Sequence, residues 1–173
     1  ERVVRKEFPN GYKHFYEGAK GEERQVRVED RFSKIKHFYA GPKGEERVVR
    51  KEWPNGDKQF YEGEVSEERV VRQELTNGDK HFYEGAKGEE RQVRTEWLNG
   101  EEKFFYEGAR GEERQVRAED RSGNKVFYEG AKGEERQVRS ERPNGDKQFY
   151  EGVRGEERVV RQELTNGDKI FFE

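Results

Sequence analysis

The chain has 173 residues, of which 28% are hydrophobic and 43% charged, and its 36 basic and 39 acidic side chains leave a net charge of −3. Such a polar composition is typical of disordered chains, but the aromatic residues recur at fixed positions and therefore indicate a fold with little interior. The near-neutral charge gives no general attraction to nucleic acid, the lack of cysteine excludes disulfides and thiolate sites, and no apolar run approaches the ~20 residues of a membrane-spanning helix.

A Phe-Tyr-Glu-Gly motif, with the variant Phe-Tyr-Ala-Gly at Phe38, returns every 22 or 23 residues. A fixed period of this size is typical of repeat proteins, in which each unit buries apolar surface only against its neighbours. Cutting before each Gly-Glu-Glu-Arg or Ser-Glu-Glu-Arg predicts a single array of eight units, at residues 1–20, 21–43, 44–65, 66–87, 88–110, 111–132, 133–154 and 155–173. The first and last units are incomplete, so we expect a fragment of a longer array.

The third unit shows why each repeat is predicted to be a β-hairpin. Residues 44–53 and 57–63 are rich in Val, Phe, Tyr and Trp, and they flank Pro54-Asn55-Gly56. Proline presets φ at the first loop position and glycine supplies a positive φ, which favours a three-residue loop with a bulged glycine. The Asn-Gly pair recurs at Asn77, Asn99, Asn144 and Asn166. Residues 29–34 and 119–124 replace this turn in the second and sixth units.

The three-residue loop also predicts which side chains share a face. It predicts the cross-strand pairs Glu52–Lys58, Arg50–Phe60 and Val49–Tyr61. Alternation then places Val49, Tyr61, Trp53 and Gly63 on one face, with the Tyr ring covering Gly, and Phe60 among charged residues on the other. A four-residue loop would instead bring Phe60 and Trp53 to the same face. In either case we expect an all-β fold, an elongated and mostly single-layer antiparallel meander of tandem hairpins.

A longer period is superposed on the short one. Leu75 and Leu164 lie 89 residues apart, as do Pro54 and Pro143, which indicates a repeat of four units. Internal duplication explains this spacing, and a partner contacted once in every four units is the alternative.

The Pro54-Asn-Gly turn and the Tyr61-Glu-Gly63 segment together resemble MORN repeats, a family of hairpin units of ~23 residues. The chain departs from the family pattern in two places: Ala19, Pro42 or Glu64 stands where an aromatic residue is expected after Tyr-X-Gly, and Gly-Glu-Glu-Arg replaces Gly-X-Gly. The resemblance implies a variant MORN-like scaffold in the cytoplasm that acts through protein contacts or phospholipid contacts. Choline-binding-type repeats have hairpins of similar length, but their paired Trp-Tyr-Tyr aromatics are missing.

No catalytic, metal-binding or cofactor-binding residues are predicted. Equivalent positions in adjacent hairpins lie ~10 Å apart, too far for His14, His37 and His81 to share a metal ion. The Glu-Glu pairs stand among arginines and are interpreted as a solvated, charge-balanced surface. Two rows remain as candidate binding surfaces, one of tyrosines and one of arginines: Tyr16, Tyr39, Tyr61, Tyr83, Tyr106, Tyr128, Tyr150, Arg50, Arg72 and Arg94.

The sequence therefore predicts a non-enzymatic structural scaffold or protein-interaction module without a cofactor. The alternative is binding of anionic lipid or carbohydrate along the Arg or Tyr rows. The predicted partners are another protein or a second copy that pairs through the sheet edges, whereas nucleic acid is not expected.

Overall fold

The computed structural model describes residues 1–97 and 101–173, and within them it contains sixteen β-strands and no helix. The chain divides into two compact units, residues 1–90 and 91–173. In each unit eight strands follow one another in sequence order, each antiparallel to the next. The prediction of an all-β antiparallel meander of tandem hairpins is confirmed.

The strands are short and regularly spaced. The first unit contains β1 (Arg5–Glu7), β2 (Lys13–Glu17), β3 (Arg24–Glu29), β4 (Lys36–Ala40), β5 (Arg47–Glu52), β6 (Lys58–Glu62), β7 (Arg69–Glu74) and β8 (Lys80–Glu84). The second unit contains β9 (Arg91–Trp97), β10 (Glu102–Glu107), β11 (Arg114–Asp120), β12 (Lys125–Glu129), β13 (Arg136–Glu141), β14 (Lys147–Glu151), β15 (Arg158–Glu163) and β16 (Lys169–Phe171).

The turn inside each hairpin fixes its register. The N–H of Gly56 donates to the carbonyl of Trp53 (2.9 Å), and the N–H of Trp53 donates to the carbonyl of Asp57 (2.9 Å). Gly56 has a φ of +94°, as the last position of a three-residue loop requires. The predicted pairs of Arg50 with Phe60 and of Glu52 with Lys58 are observed, so the three-residue loop is confirmed and the four-residue alternative is wrong for this hairpin.

Two of the turns that lack Asn-Gly behave differently from each other. In the sixth repeat (residues 111–132) the N–H of Gly123 donates to the carbonyl of Asp120, and the N–H of Asp120 donates to the carbonyl of Asn124. This is the usual three-residue loop with a different sequence. The expectation that this segment replaces the turn is therefore wrong. The second repeat (residues 21–43) does differ, because the N–H of Asp30 donates to the carbonyl of Ile35 and so closes a loop that is one residue longer. The predicted turn at residues 98–100 lies outside the described residues.

A β-bulge marks the junction between successive hairpins. Phe38 pairs with Arg50 and Tyr39 pairs with Val48, which leaves Val49 as the extra residue of β5. A bulge interrupts side-chain alternation, so Val49 lies on the same face as Arg50. The prediction that Val49 shares a face with Tyr61 is wrong, because it assumed unbroken alternation along the strand.

The loop between hairpins explains the glycine of Tyr-Glu-Gly. Gly63 has a φ of +122°, and a Cβ built on it would lie 2.4 Å from the carbonyl oxygen of Glu67. Glycine is required here because this carbonyl approaches so closely. The sequence analysis had given a different reason, namely that the Tyr ring covers the glycine. Ser66 follows in the same loop with a φ of +68°, where most units have a second glycine.

The described residues contain almost no core. Only Val28 (7% exposed) and Thr95 (1% exposed) are buried, and most other strand residues are half-buried. Each hairpin is therefore stabilised by pairing with its neighbours along the sheet. Within the described residues, no helix has the length and apolar character that a membrane crossing requires.

Candidate interaction surface

The two candidate rows lie on opposite faces of the sheet. Phe60 pairs with Arg72, and the neighbouring Tyr61 points to the other side because successive strand residues alternate. We call the side that carries the seven tyrosines the tyrosine face, and the side that carries the paired phenylalanines and arginines the phenylalanine face. The candidate residues Arg50, Arg72 and Arg94 lie on the phenylalanine face.

Arginine and phenylalanine alternate across the strands of the phenylalanine face. Arg139 stands opposite Phe127 on one side and opposite Phe149 on the other. Its guanidinium carbon lies 3.9 Å from the centre of the Phe127 ring, within the range of a cation–π interaction. The same stacking occurs at Arg27, Arg50, Arg72, Arg117 and Arg161, with distances of 3.7–4.0 Å.

These arginines are also engaged by carboxylates. Arg50 lies 3.4 Å from Glu52, and Arg94 lies 3.3 Å from Glu96. Each of these arginine side chains is 35% exposed, and the guanidinium of Arg50 also stacks on the ring of Phe38. An anionic ligand would have to compete with a carboxylate already in place. This arrangement gives little support to the Arg row as an anion site.

The second glutamate of Gly-Glu-Glu-Arg binds the preceding hairpin. A carboxylate oxygen of Glu46 accepts from the N–H of Gln25 (3.1 Å) in the unit before, and its other oxygen accepts from the N–H of Gly44 (2.9 Å). The equivalent bonds from glutamate to the backbone of the preceding unit are made by Glu23, Glu68, Glu90, Glu135 and Glu157. These carboxylates therefore cross-link neighbouring repeats.

Backbone hydrogen bonds lower the pKa of several of these glutamates, namely Glu23, Glu135 and Glu157. For Glu135, a hydrogen bond from its own N–H is the largest cause of a lowered pKa, slight burial opposes it, and the N–H groups of Gln115 and Gly133 lower it further. Such a carboxylate is a poor general acid near neutral pH. The second glutamate of each of these pairs is thus placed as a structural acceptor.

Basic side chains bind the loop of the preceding unit. Lys43 donates to the carbonyl of Gly21 (2.7 Å), Lys87 to that of Ser66 (2.6 Å) and Lys132 to that of Gly111 (2.7 Å). These contacts place a line of charged groups along the loop edge of each unit.

Several tyrosine hydroxyls are bonded to neighbouring side chains of the same face. The hydroxyl of Tyr61 donates to Gln59 (2.8 Å), and that of Tyr150 donates to Gln148 (3.0 Å) and lies 3.2 Å from the hydroxyl of Ser140. Burial raises the pKa of Tyr61 to about 12. Because these polar groups already have partners, covering them would leave few unsatisfied hydrogen bonds.

The centre of the tyrosine face lacks charge in the second unit, a feature that the sequence analysis missed, and Glu102 and Asp120 lie in an outer row of the same face. In the second unit, the two central rows of the tyrosine face contain no ionisable side chain other than tyrosine. These rows consist of Gln92, Thr95, Phe104, Tyr106, Gln115, Ala118, Val126, Tyr128, Gln137, Ser140, Gln148, Tyr150, Val159, Gln162 and Ile170. In the first unit the same face carries Lys6 and Lys51. The bulge hid this pattern, because simple alternation assigns the wrong residues to each row.

An aromatic pair extends the tyrosine face at one edge of the second unit. The rings of Trp97 and Phe104 are 4.8 Å apart and tilted by 52°, and Trp97 is 43% exposed. Neither residue was predicted as part of a site. Their shared position follows from the register of β9 with β10, which the sequence alone left open.

The histidines lie on the tyrosine face and are separated along it. His14 Nδ1 lies 2.8 Å from the side-chain oxygen of Gln25, and His37 stands between Val28 and Lys51. Burial and then the charge of Lys51 lower the pKa of His37. Among the described residues, no group of three or more His, Cys, Asp or Glu side chains is arranged to hold a metal ion.

No protein-family model matches the chain, and no curated protein sequence matches it.

Proposed function

We propose that this chain is a non-enzymatic repeat scaffold whose tyrosine face is covered by a protein partner. The observation that supports this proposal is the distribution of charge on this face, whose two central rows are uncharged across the second unit while Glu102 and Asp120 lie in an outer row. An uncharged centre with charged groups at its edge is the usual composition of a protein–protein interface.

The roles of the repeated charged residues support a non-enzymatic function. The glutamates accept hydrogen bonds from the preceding repeat, and the arginines stack on phenylalanine, so both have structural tasks that repeat in successive units. An active site requires groups that differ from the repeating background. We also propose that the chain is a MORN-like variant, on the basis of its period, its Asn-Gly loops and its Tyr-Glu-Gly segments.

Anionic lipid or carbohydrate remains the second candidate ligand. The exposed Trp97 next to Phe104 favours carbohydrate, because a sugar ring could stack on the indole. The Arg row supports lipid less, since its guanidinium groups are paired with glutamate. Vesicles containing phosphatidylserine and a glycan array distinguish these ligands. Saturable binding to either one that is lost in Trp97→Ala or in Arg72→Gln would favour this alternative.

Site-specific photo-cross-linking tests which face a protein partner covers. Phe127 and Tyr128 are adjacent residues of β12 on opposite faces, so they provide a matched pair of positions for a photoreactive phenylalanine analogue. We expect protein adducts from position 128 and few from position 127 in cells that make the protein. Equal yields from both positions, or adducts from position 127 alone, would contradict the proposal.

A further inference from the structure

We propose that the tyrosine face of the second unit binds the same face of a second copy, so that two single-layer sheets pack into a two-layer sandwich. This inference rests on the proposed function, because it names the partner that covers the interaction surface. It depends on three features of the described residues: the size of the face, the lack of charge in its central rows and its repeat spacing.

The face is large enough for a stable dimer. Eight strands at ~4.8 Å spacing and about 18 Å of strand length give the whole face an area of roughly 700 Å², which includes Glu102 and Asp120 in an outer row at one margin. This approaches the ~800 Å² per partner of a standard protein–protein interface. The unit also lacks a core, since Thr95 is its only fully buried side chain among the described residues. Packing against a second layer is the usual way in which a sheet covers an uncharged face.

The lack of charge allows the face to meet a copy of itself. In a two-fold interface the same patch appears on both sides, so a charged residue near the axis would meet its own copy. The central rows of the second unit contain no Lys, Arg, Asp or Glu. Several of its hydroxyl and amide groups are already bonded to each other, as for Gln92 with Thr95 and Tyr150 with Gln148, so dehydration does not leave these groups unpaired.

The spacing of the rows favours a copy over an unrelated partner. Tyrosines recur every second strand, about 10 Å apart. A second copy has the same spacing, so each of its tyrosines can make the same contacts with the first copy. An unrelated globular protein would match this spacing at a few positions only.

The first unit shows how to remove the interaction without disturbing the sheet. Lys51 stands on the tyrosine face of β5, with its ammonium 5.0 Å from the centre of the Tyr61 ring on β6. Ala118 of β11 and Ser140 of β13 occupy the corresponding positions beside Tyr128 and Tyr150. Lysine at these two positions is thus compatible with the hairpin, because the chain already contains one there.

The decisive experiment compares the mass in solution of the full chain with that of the double variant Ala118→Lys/Ser140→Lys, by sedimentation equilibrium from micromolar to millimolar concentration. We expect a dimer for the unmodified chain and at least an ~30-fold weaker dimer for the variant, because like charges would meet across the interface. The control Glu107→Gln/Glu129→Gln also raises the net charge by two, at exposed positions of the phenylalanine face. We expect it to dimerise as the unmodified chain does.

Charge reversal gives a second readout that does not depend on the stability of one variant. Mixing Ala118→Lys/Ser140→Lys with Ala118→Glu/Ser140→Glu should restore a dimer that contains one of each, whereas each variant alone should be a monomer. Circular dichroism of each variant checks that its sheet content is retained. The dimer of the unmodified chain should also weaken little between about 0.05 and about 0.5 M salt, because no charge pair holds it together.

The outcomes separate this inference from the proposed function. A monomer at all concentrations that still forms adducts from position 128 with a different protein would overturn the second copy and leave the scaffold proposal intact. A dimer that persists in Ala118→Lys/Ser140→Lys would place the contact elsewhere, for example at strand edges, and would also overturn the inference. A monomer without adducts from position 128 would overturn both proposals.

Discussion

The guanidinium of Arg139 lies over the ring of Phe127, with 3.9 Å between the guanidinium carbon and the ring centre, although the two residues belong to different hairpins. Arg139 also stands opposite Phe149 within its own hairpin. One residue thus joins two repeats, and the same relation recurs through both units.

Arg139→Lys should weaken the junction between these two repeats. Lysine keeps the charge but loses the flat group that stacks on the ring, so we expect a loss of about 0.5–1 kcal/mol in the free energy of unfolding. Urea unfolding measures the change in the free energy of unfolding, and hydrogen exchange tests whether the loss lies in β12 and β13. Arg142→Lys is the control, because Arg142 is exposed in the following turn. An equal effect of both substitutions would argue against stacking.

Two glycines of one loop should respond differently to alanine. Both have a positive φ, but a Cβ on Gly130 would lie 2.5 Å from the carbonyl oxygen of Glu134, whereas a Cβ on Gly133 would meet nothing within 4 Å. Gly133→Ala should cost about 1–2 kcal/mol for its backbone conformation alone. Gly130→Ala should cost clearly more, because the loop must also move. Thermal unfolding of the two variants ranks them, and the opposite order would contradict the assigned loop geometry.

Ser66→Gly should stabilise the chain. Ser66 has a φ of +68° at the loop position where most units have glycine, and a non-glycine residue in this region is strained by about 1 kcal/mol. Part of this gain is offset by the greater freedom of glycine in the unfolded chain. We expect a small rise in the midpoint of thermal unfolding. A fall of the midpoint would show that the serine side chain contributes more than the strain costs.

Glu135→Gln should loosen the bond between the sixth and seventh repeats. The carboxylate accepts from the N–H of Gln115 at 3.4 Å, and a neutral amide accepts more weakly than a carboxylate. The amide of Gln115 should therefore exchange with solvent faster, on the order of 3–10-fold. Glu134→Gln removes the neighbouring, exposed carboxylate as a control. No change at Gln115 in either variant would mean that this hydrogen bond contributes little.

Acid should destabilise the sheet through the same glutamates. Backbone hydrogen bonds lower the pKa of Glu23, Glu113, Glu135 and Glu157 below their ordinary value of 4.5. A lowered pKa in the folded state contributes stability that is present above pH 4.5 and is lost as the pH falls through the folded values. The midpoint of thermal unfolding should therefore be nearly constant just above this pH and fall below it. A midpoint that is unchanged down to the lowest pH at which the chain stays soluble would be inconsistent with these bonds.

Alkali should act through the tyrosine face. Burial raises the pKa of Tyr39, Tyr83 and Tyr128, and that of Tyr61 to about 12, from an ordinary value of 10. Stability from these residues is complete below pH 10 and is lost as the pH rises through the folded pKa values. In a titration followed by near-ultraviolet absorbance, phenolate should form at higher pH in the folded chain than in the chain unfolded by denaturant. In Tyr61→Phe the part of the phenolate absorbance that appears at the highest pH should be absent.

The sequence by itself determined the hairpin and its internal register. A local loop such as Pro54-Asn55-Gly56 fixes which residues of the two strands face each other, because loop length and turn type depend on a few adjacent residues. The pairs of Arg50 with Phe60 and of Glu52 with Lys58 could therefore be predicted. The loop at residues 120–124 was not recognised, because Arg-Ser-Gly forms the same turn without the Asn-Gly signature.

Only the tertiary structure decided how one hairpin joins the next. The bulge at Val49 and the bond from Glu46 to Gln25 depend on the alignment of strands that belong to different repeats, and no short segment encodes that alignment. The bulge in turn determines which residues share a face. The uncharged surface of the second unit, on which the proposed interaction depends, therefore became visible only when the strands were placed side by side.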